Sequence, residues 1–189
     1  MDLYQLAVSV VEGLEAEGIP YMVTGAIAFG VYGIPRSTKD VDVVIALETA
    51  EPLNRLERRL GHLLEFDPQV SFETITGSLR HILKSRTRPP ITVELFELGK
   101  DDFVRCRFDR RREEFSAQLG RAIQVPTPED VVVQKLRWGR SKDIDDARDV
   151  IAVQTPANLD MAYIEKWCGL HGTMERLGAV IASIPADLR

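Results

Sequence analysis

Apolar residues recur at intervals of three and four positions in five stretches of the chain, and this spacing predicts amphipathic helices. The stretches cover residues 2–17, 51–64, 128–139, 143–153 and 160–183. Gly18 and Pro20 end the first pattern. Thr127 precedes the third as a typical N-cap residue, and Pro128 occupies the first helical position, which proline favours. The sequence therefore predicts helices near both ends of the chain and in its middle.

Four shorter apolar runs predict β-strands. They cover residues 20–24, 41–47, 79–85 and 91–98. The last two are joined by a polar stretch, which predicts a hairpin. The small residues from Gly25 to Gly33 follow the first strand and predict a short, closely packed helix. Residues 100–122 are basic and have no regular pattern, so no element is predicted there.

This order of elements predicts an α+β fold, with a mixed sheet flanked by helices and a helical carboxyl-terminal part. At 189 residues, the chain is near the usual size of one domain. We therefore expect a single domain, in which residues 1–125 form the α/β core and residues 126–189 form helices packed on it.

The composition is that of an ordinary globular domain, with 44% hydrophobic and 28% charged residues. No apolar run reaches the length of a membrane helix, and Asp2 stands where a signal peptide carries a basic residue. Cys106 and Cys168 are far apart in sequence, so we expect neither a zinc cluster nor a disulfide. These features favour a cytoplasmic protein with no membrane partner.

The net charge of −5 argues against a protein that coats nucleic acid by charge alone. The charge is uneven, however, because residues 79–142 hold 15 Lys and Arg against 9 Asp and Glu. A solvated face with local ion pairs and a patch for a polyanion are both compatible with this count. The basic stretch mildly favours RNA as a partner.

Two aspartates begin the clearest predicted strand. Asp40 and Asp42 are two residues apart, so strand alternation places both carboxylates on one side, with backbone positions about 6 to 7 Å apart. The carboxylates repel each other unless a cation lies between them, and Mg²⁺ suits carboxylate and phosphate oxygens. Such a pair also occurs at strand starts without any function, so it is a weak signal alone.

Gly25 adds a second signal because it lies at the predicted junction of a strand and a helix. Backbone N–H groups and the helix dipole can hold phosphate oxygens at such a junction, although a glycine there can also serve only the turn. Arg36, Ser37, Thr38 and Lys39 precede the aspartates and offer donors for a triphosphate. A phosphate cradle and a metal pair therefore fall within one short span.

Several motifs occur in a fixed order around these residues. They are a glycine after the first strand, YGIPRST at 32–38, DVD at 40–42, VELF at 93–96, VPTPEDVVVQKL at 125–136 and RSKDIDD at 140–146. In this order they resemble the polymerase-beta-like nucleotidyltransferase superfamily. The resemblance is closest to its small prokaryotic members of the abortive-infection toxin type, and it covers residues 21 to about 150.

The resemblance implies an enzyme that transfers a nucleoside monophosphate from a nucleoside triphosphate to an acceptor hydroxyl, with two Mg²⁺ ions as cofactors. The implied catalytic and metal-binding residues are Asp40, Asp42 and Glu94. The implied nucleotide-binding residues are Thr24, Gly25, Ala26, Arg36, Thr38, Lys39, Lys135 and Lys142. Glu94 helps to bind the second metal or takes the hydroxyl proton, and Lys135 lines the pocket or fixes the helical part to the sheet.

Two residues depart from the motif. Ala26 stands where the superfamily commonly has Gly or Ser, and Glu94 stands where Asp is common. Both are compatible with catalysis, and both are also typical of an inactive site. Glu97 competes with Glu94 for the third carboxylate, but it falls on the opposite strand face. Trp138 is interpreted as a packing residue.

The implied acceptors are transfer RNA or another RNA, a protein side chain, or a small molecule. If the likeness to toxins extends to function, an antitoxin partner is also implied. Two alternatives remain: a catalytically silent nucleotidyltransferase fold that acts as a nucleotide- or RNA-binding or regulatory module, and a plain RNA-binding domain.

Overall fold

A computed structural model describes residues 1–185, which contain eight α-helices and eight β-strands. The helices are α1 (Leu3–Ala16), α2 (Gly25–Tyr32), α3 (Glu51–Leu60), α4 (Asp102–Asp109), α5 (Pro128–Trp138), α6 (Ser141–Gln154), α7 (Met161–His171) and α8 (Met174–Ser183). The strands are β1 (Tyr21–Val23), β2 (Asp40–Ile45), β3 (Leu64–Phe66), β4 (Ser71–Glu73), β5 (Ser78–Ser85), β6 (Thr92–Glu97), β7 (Arg112–Ser116) and β8 (Arg121–Val125).

The main sheet is mixed and has the strand order β1-β2-β6-β5-β3, with β4 also paired to β5. The strands β2 and β6 are parallel, whereas the other neighbours in this sheet are antiparallel. The strands β7 and β8 form a separate antiparallel pair. The predicted α+β class is confirmed, and so is the hairpin of the two middle strands, now β5 and β6.

The helix ends follow the signals in the sequence. Asp2 caps α1, because its side chain accepts a hydrogen bond from the backbone N–H of Gln5, whose side chain in turn accepts from the backbone of Asp2. Thr127 caps α5 as predicted, and Gly139 ends it with a left-handed backbone. The predicted helix over 51–64 is too long: α3 ends at Leu60, because the chain then turns into β3.

The alternation of β2 separates two environments. Val41, Val43 and Ile45 belong to the large core, which extends from α1 across the sheet to the carboxyl-terminal helices. Asp42 and Val44 lie on the other face, where Val44 belongs to a small cluster with Met22 and Phe108 of α4. The aspartates therefore begin the strand on the face that the large core leaves uncovered.

Residues 100–122, in which no element was predicted, contain α4, β7 and the beginning of β8. The helix α4 has only eight residues, and Arg107 is one of its buried side chains, so its apolar period is interrupted. The strands β3 and β4, also missed, have three residues each. Cys106 and Cys168 form no disulfide. None of the helices in residues 1–185 is long and apolar enough to cross a membrane.

Candidate active site

The antiparallel pairing of β1 and β2 brings the end of one strand beside the start of the other. Val23 pairs with Val43, and the next residue, Thr24, donates its backbone N–H to the carbonyl oxygen of Asp42 at 2.8 Å. Gly25 then begins α2 with a φ of +62°. A Cβ atom at Gly25 would overlap the carboxylate of Asp42. Glycine is therefore required here both for the backbone conformation and for the close approach of Asp42.

The parallel pairing of β2 and β6 places Glu94 directly beside Asp42 on one sheet face. Within residues 1–185, the carboxylates of Asp40 and Asp42 form no ion pair and accept no hydrogen bond, and Asp40 bonds to the Thr38 hydroxyl through its backbone only. Burial, together with the like charges of Glu94 and Asp40, raises the pKa of Asp42 to about 6. The three carboxylates thus form a cluster in which negative charge is poorly compensated.

Glu94 is the member of this cluster with a basic partner. The Nη1 atom of Arg80, on β5, lies 3.3 Å from its Oε1 atom, and Arg80 also donates from Nε to the hydroxyl of Ser71 at 3.0 Å. Glu97 lies on the opposite face of β6, where its Oε1 atom is 2.7 Å from Nε2 of His81. The structure therefore brings Glu94, and not Glu97, to the aspartates.

These groups line a cleft of about 440 Å³. Its lining residues are Gly25, Ala26, Arg36, Thr38, Asp40, Asp42, Glu73, Ile75, Arg80, Glu94, Phe96, Lys135, Trp138, Arg140 and Lys142. All three implied catalytic residues and six of the eight implied nucleotide-binding residues are in this set. Thr24 lines two smaller cavities next to the cleft, and Lys39 is an exposed residue outside the cleft lining found in residues 1–185.

Lys135 belongs both to the cleft and to a buried ion-pair network. Its Nζ atom lies 2.6 Å from Asp146 Oδ2 and 3.3 Å from Asp143 Oδ1, both on α6. Arg36 donates to both oxygens of Asp146, from Nε at 2.8 Å and from Nη2 at 2.9 Å, and Arg140 pairs with Asp143. The network therefore fixes α5, α6 and the loop before β2 to one another, which unites the two predicted roles of Lys135.

The network holds Asp146 in the charged form. Burial opposes the ionisation of Asp146, but hydrogen bonds from Arg36 and Lys135 outweigh it and lower the pKa of this carboxyl. The hydrogen bond to Asp146 in turn raises the pKa of Arg36. The side chains of Asp143 and Asp146 are almost completely buried, so both acids belong to the interior of this network.

Sequence reasoning missed several residues of the cleft. Arg80 comes from a different strand, Glu73 and Ile75 come from the β4 region, and Trp138 was interpreted only as a packing residue. Trp138 forms part of the cleft wall, with the guanidinium carbon of Arg140 5.1 Å from its ring centre. Its position at the end of α5, next to the RSKDIDD motif, was the signal available in the sequence.

The donor set suits a magnesium ion, although the acids are not arranged as a finished metal site. Residues 1–185 contain no cluster of three or more acidic, His or Cys side chains in metal-binding geometry. Asp40 and Asp42 nevertheless offer carboxylate oxygens without protein partners, and a cation beside them would offset the burial and the like-charge repulsion that raise the pKa of Asp42. Glu94 can join them only by leaving Arg80.

Comparison with known proteins gives a fold. No protein-family model matches the chain, and no curated protein matches its sequence. A solved structure of an antigenic nucleotidyltransferase-like protein from Paracoccidioides brasiliensis is 19% identical, with a TM-score of 0.59 over 98% of this chain and 94% of that one. The antibiotic-resistance factor ANT(2'')-Ia is 12% identical, with a TM-score of 0.58 over 91% of this chain and 96% of that one.

A third similar structure is JHP933 from Helicobacter pylori, which is 16% identical with a TM-score of 0.55, over 97% of this chain and 90% of that one. Identities this low establish likeness of fold alone. Because the matches extend over nine-tenths or more of each chain, the chain has the nucleotidyltransferase-like α+β fold over nearly its whole length.

Proposed function

We propose that this protein is a Mg²⁺-dependent nucleotidyltransferase that moves a nucleoside monophosphate from a nucleoside triphosphate to an acceptor hydroxyl. The observation that carries the proposal is the contact between Gly25 and Asp42, with Glu94 beside them. It places the amino-terminal end of a helix, which favours phosphate, directly against poorly compensated carboxylates. A triphosphate with its metal ions supplies both the anion and the cations that these two features favour.

Different residues of the cleft would bind different parts of the triphosphate. Gly25 and Ala26 offer backbone N–H groups at the start of α2, and Lys142 and Arg140 line the same cleft with positive charge for the triphosphate. Lys135, held by Asp143 and Asp146, contributes a fixed positive charge at the cleft wall. Thr24 supports the turn through its backbone bond to Asp42.

Asp40 and Asp42 are the residues that would hold Mg²⁺. When bound, the metal neutralises charge on the phosphates and lowers the proton affinity of the attacking hydroxyl. Glu94 has two roles open to it, as a further ligand or as the acceptor of the hydroxyl proton, and in either role it must exchange its contact with Arg80. The bond from the α-phosphorus to the pyrophosphate oxygen breaks as the bond to the acceptor oxygen forms.

The proposed acceptor is a hydroxyl on an RNA, a protein or a small molecule. One structure of ANT(2'')-Ia is in complex with adenylyl-2''-tobramycin, which is an adenylylated small molecule. The basic stretch 79–142 favours RNA for the present chain. The toxin role with an antitoxin partner also belongs to this proposal, and its sign is growth arrest on expression that an Asp42→Asn substitution abolishes.

A catalytically silent fold is the second candidate, and two observations favour it. Arg80 forms an ion pair with Glu94, with 3.3 Å between Nη1 and Oε1, and Ala26 lacks the hydroxyl that a serine would offer. A silent module keeps nucleotide or RNA binding in this cleft but transfers nothing.

Transfer of label from two forms of one nucleotide separates these candidates. The protein is incubated with Mg²⁺, total RNA, soluble protein and small-molecule extracts, and with nucleotides labelled at the α- or the γ-phosphate. The proposal predicts that only α-label enters an acceptor and that Asp42→Asn prevents this. Tight Mg²⁺-dependent binding without any transfer favours the silent module, and transfer of γ-label contradicts nucleotidyl transfer.

A further inference from the structure

Two polar side chains are buried behind the cleft without partners. Arg107 of α4 is 4% exposed and Gln134 of α5 is 3% exposed. The Nε atom of Arg107 and both amide atoms of Gln134 have no hydrogen-bond partner among the described residues. Since buried polar groups are normally satisfied, this pair requires an explanation.

Asp130 and Asp101 favour the charged form of Arg107 through their negative charge, but neither pairs with it, because each is engaged by another arginine. Asp101 pairs with Arg137 at 2.7 Å, and Asp130 pairs with Arg110 at 3.3 Å. Burial lowers the pKa of Arg107 to about 10, so the guanidinium is still charged at neutral pH. Arg107 is therefore a buried cation for which the part of the chain in residues 1–185 supplies no ion-pair partner.

Both side chains line two small cavities that adjoin the cleft. The larger has a volume of about 30 Å³, and its wall shares Glu73, Phe96 and Trp138 with the cleft. The smaller, of about 10 Å³, lies against Thr24 and Gly25. The larger cavity has room for about two water molecules. It can therefore take an exocyclic group of a larger ligand whose ring remains in the cleft between the aromatic residues.

We infer that Arg107 and Gln134 read the nucleobase of the triphosphate and select a base with a keto oxygen on the edge remote from the sugar, namely guanine or uracil. This inference rests on the proposed function. With the triphosphate at Gly25 and the carboxylates, the base lies in the cleft and turns its remote edge toward the cavity, which admits only the exocyclic oxygen. Phe96 and Trp138, which line both spaces, provide apolar surfaces for the ring.

The chemistry of the pair gives the selectivity. A guanidinium can only donate, so Arg107 stabilises a carbonyl oxygen and disfavours an amino group. The amide of Gln134 can donate to the same carbonyl and accept from the adjacent ring N–H. Guanine and uracil present this carbonyl and N–H side by side, whereas adenine and cytosine present an amino group there. The pair is therefore complementary to GTP and UTP.

Titration calorimetry with each of the four nucleoside triphosphates and Mg²⁺, and with tripolyphosphate, tests this inference. A hydrogen bond to a charged group is worth about 1.5–3 kcal/mol, so GTP or UTP should bind about 10- to 100-fold more tightly than ATP and CTP. The Arg107→Met variant should reduce this ratio to below about threefold and leave the affinity for tripolyphosphate unchanged. Arg105→Met, in which an exposed arginine of the same helix is replaced, should keep the ratio.

The variant is expected to fold, because replacing an unpaired buried charge with an apolar side chain of similar size is neutral or stabilising. Gln134→Leu provides a second test and should reduce the same ratio. Equal affinity for all four nucleotides in the wild-type protein, or a preference for ATP, would overturn the inference. Equal weakening of every nucleotide and of tripolyphosphate by Arg107→Met would also overturn it, since Arg107 would then hold phosphate.

The proposed function is tested separately by Asp42→Asn in the same titrations. If this substitution removes Mg²⁺-dependent binding but the four nucleotides bind equally, base selection is wrong and the proposed function stands. If no nucleotide binds the wild-type protein, both are wrong.

Discussion

One pair of aspartates lines the cleft and a second pair lies behind its basic residues, and the surroundings of the two pairs are opposite. Asp143 and Asp146 are buried and held by Lys135, Arg36 and Arg140. Asp40 and Asp42 have no ion pair within residues 1–185, and the nearest charged neighbour across the strand pair is the like charge of Glu94. Both pairs are separated by two or three residues in sequence, so spacing alone does not reveal the difference.

The difference indicates two kinds of role. A network in which every acid has a base stabilises one arrangement of α5, α6 and the loop before β2. Burial and the like charges of Glu94 and Asp40 raise the pKa of Asp42, which reduces the stability of the protein without ligand, and a bound cation would reverse this cost. The aspartates that are ion-paired therefore stabilise the fold, whereas the aspartates without ion pairs are suited to bind a ligand.

The largest effect on stability is expected from Lys135→Met. This change leaves Asp143 and Asp146 buried with less positive charge, and breaking a buried pair costs about 3–5 kcal/mol. Chemical unfolding in urea measures the loss. Lys166→Met, at an exposed position of α7, is the control and should change stability by less than about 0.5 kcal/mol. Equal effects would show that the network contributes little.

The next effect is expected from Gly25→Ala, with Gly18→Ala as a matched control. Both glycines have a φ near +65°, at +62° and +66°, so alanine costs each about 1–2 kcal/mol in backbone strain. At Gly18 no atom lies within 4 Å of the added Cβ, whereas at Gly25 the Cβ meets the carboxylate of Asp42. Gly25→Ala should therefore be the more destabilising and should alone abolish nucleotide binding, as calorimetry would show. Similar losses of binding would contradict the proposed cradle.

The sequence predicted the parts of this site that lie close together along the chain. Gly25, Asp40 and Asp42 fall in one short span, and Glu94 was assigned to the aspartate face by its place in VELF. It did not predict Arg80, because only the β5 and β6 pairing brings that side chain to Glu94. The burial of Arg107 was not predicted either, because it depends on packing against other elements and not on the spacing of residues within α4.

The fold was predicted best where elements are long. The central strands and the helices α5 and α6 are long enough to show a regular period, and their bounds were confirmed within two residues. The predicted stretch 160–183 forms two helices, α7 and α8, because Gly172 ends α7. The three-residue strands β3 and β4 are too short to show a period. Leu64 fits the helical spacing of the leucines in α3, but it belongs to β3, because its pairing with β5 outweighs the local spacing.

A smaller effect is expected from Asp42→Asn on the protein without ligand. The folded-state pKa of about 6 lies above the usual value of 3.8, so the wild-type protein loses stability as pH rises from about 4 to 6. Above this range the substitution should stabilise by about 1–3 kcal/mol, and at pH 4 the gain should disappear. Urea unfolding at pH 4 and pH 8 measures both. A gain that is independent of pH would contradict the assigned cause.

The smallest effect on stability is expected from Arg80→Met. The pair with Glu94 is partly exposed, so its loss should cost less than about 1 kcal/mol. Glu94 then becomes available to a cation, and Mg²⁺ alone should raise the melting temperature of Arg80→Met more than that of the wild-type protein. Arg58→Met, which removes an exposed pair with Glu51, is the control and should respond to Mg²⁺ as the wild-type protein does. An unchanged response of Arg80→Met would show that Arg80 does not compete with the metal.

Thermal unfolding of the wild-type protein and Asp42→Asn, with each nucleoside triphosphate in the presence and absence of Mg²⁺, tests the central claim most directly. At about a hundredfold excess over Kd, binding stabilises by about 2.7 kcal/mol, which raises Tm by about 5–10 °C in a chain of this size. The account predicts this rise only in the wild-type protein and only with Mg²⁺. An equal rise without Mg²⁺, or one retained in Asp42→Asn, would contradict the assignment of Asp42 to a metal–nucleotide site.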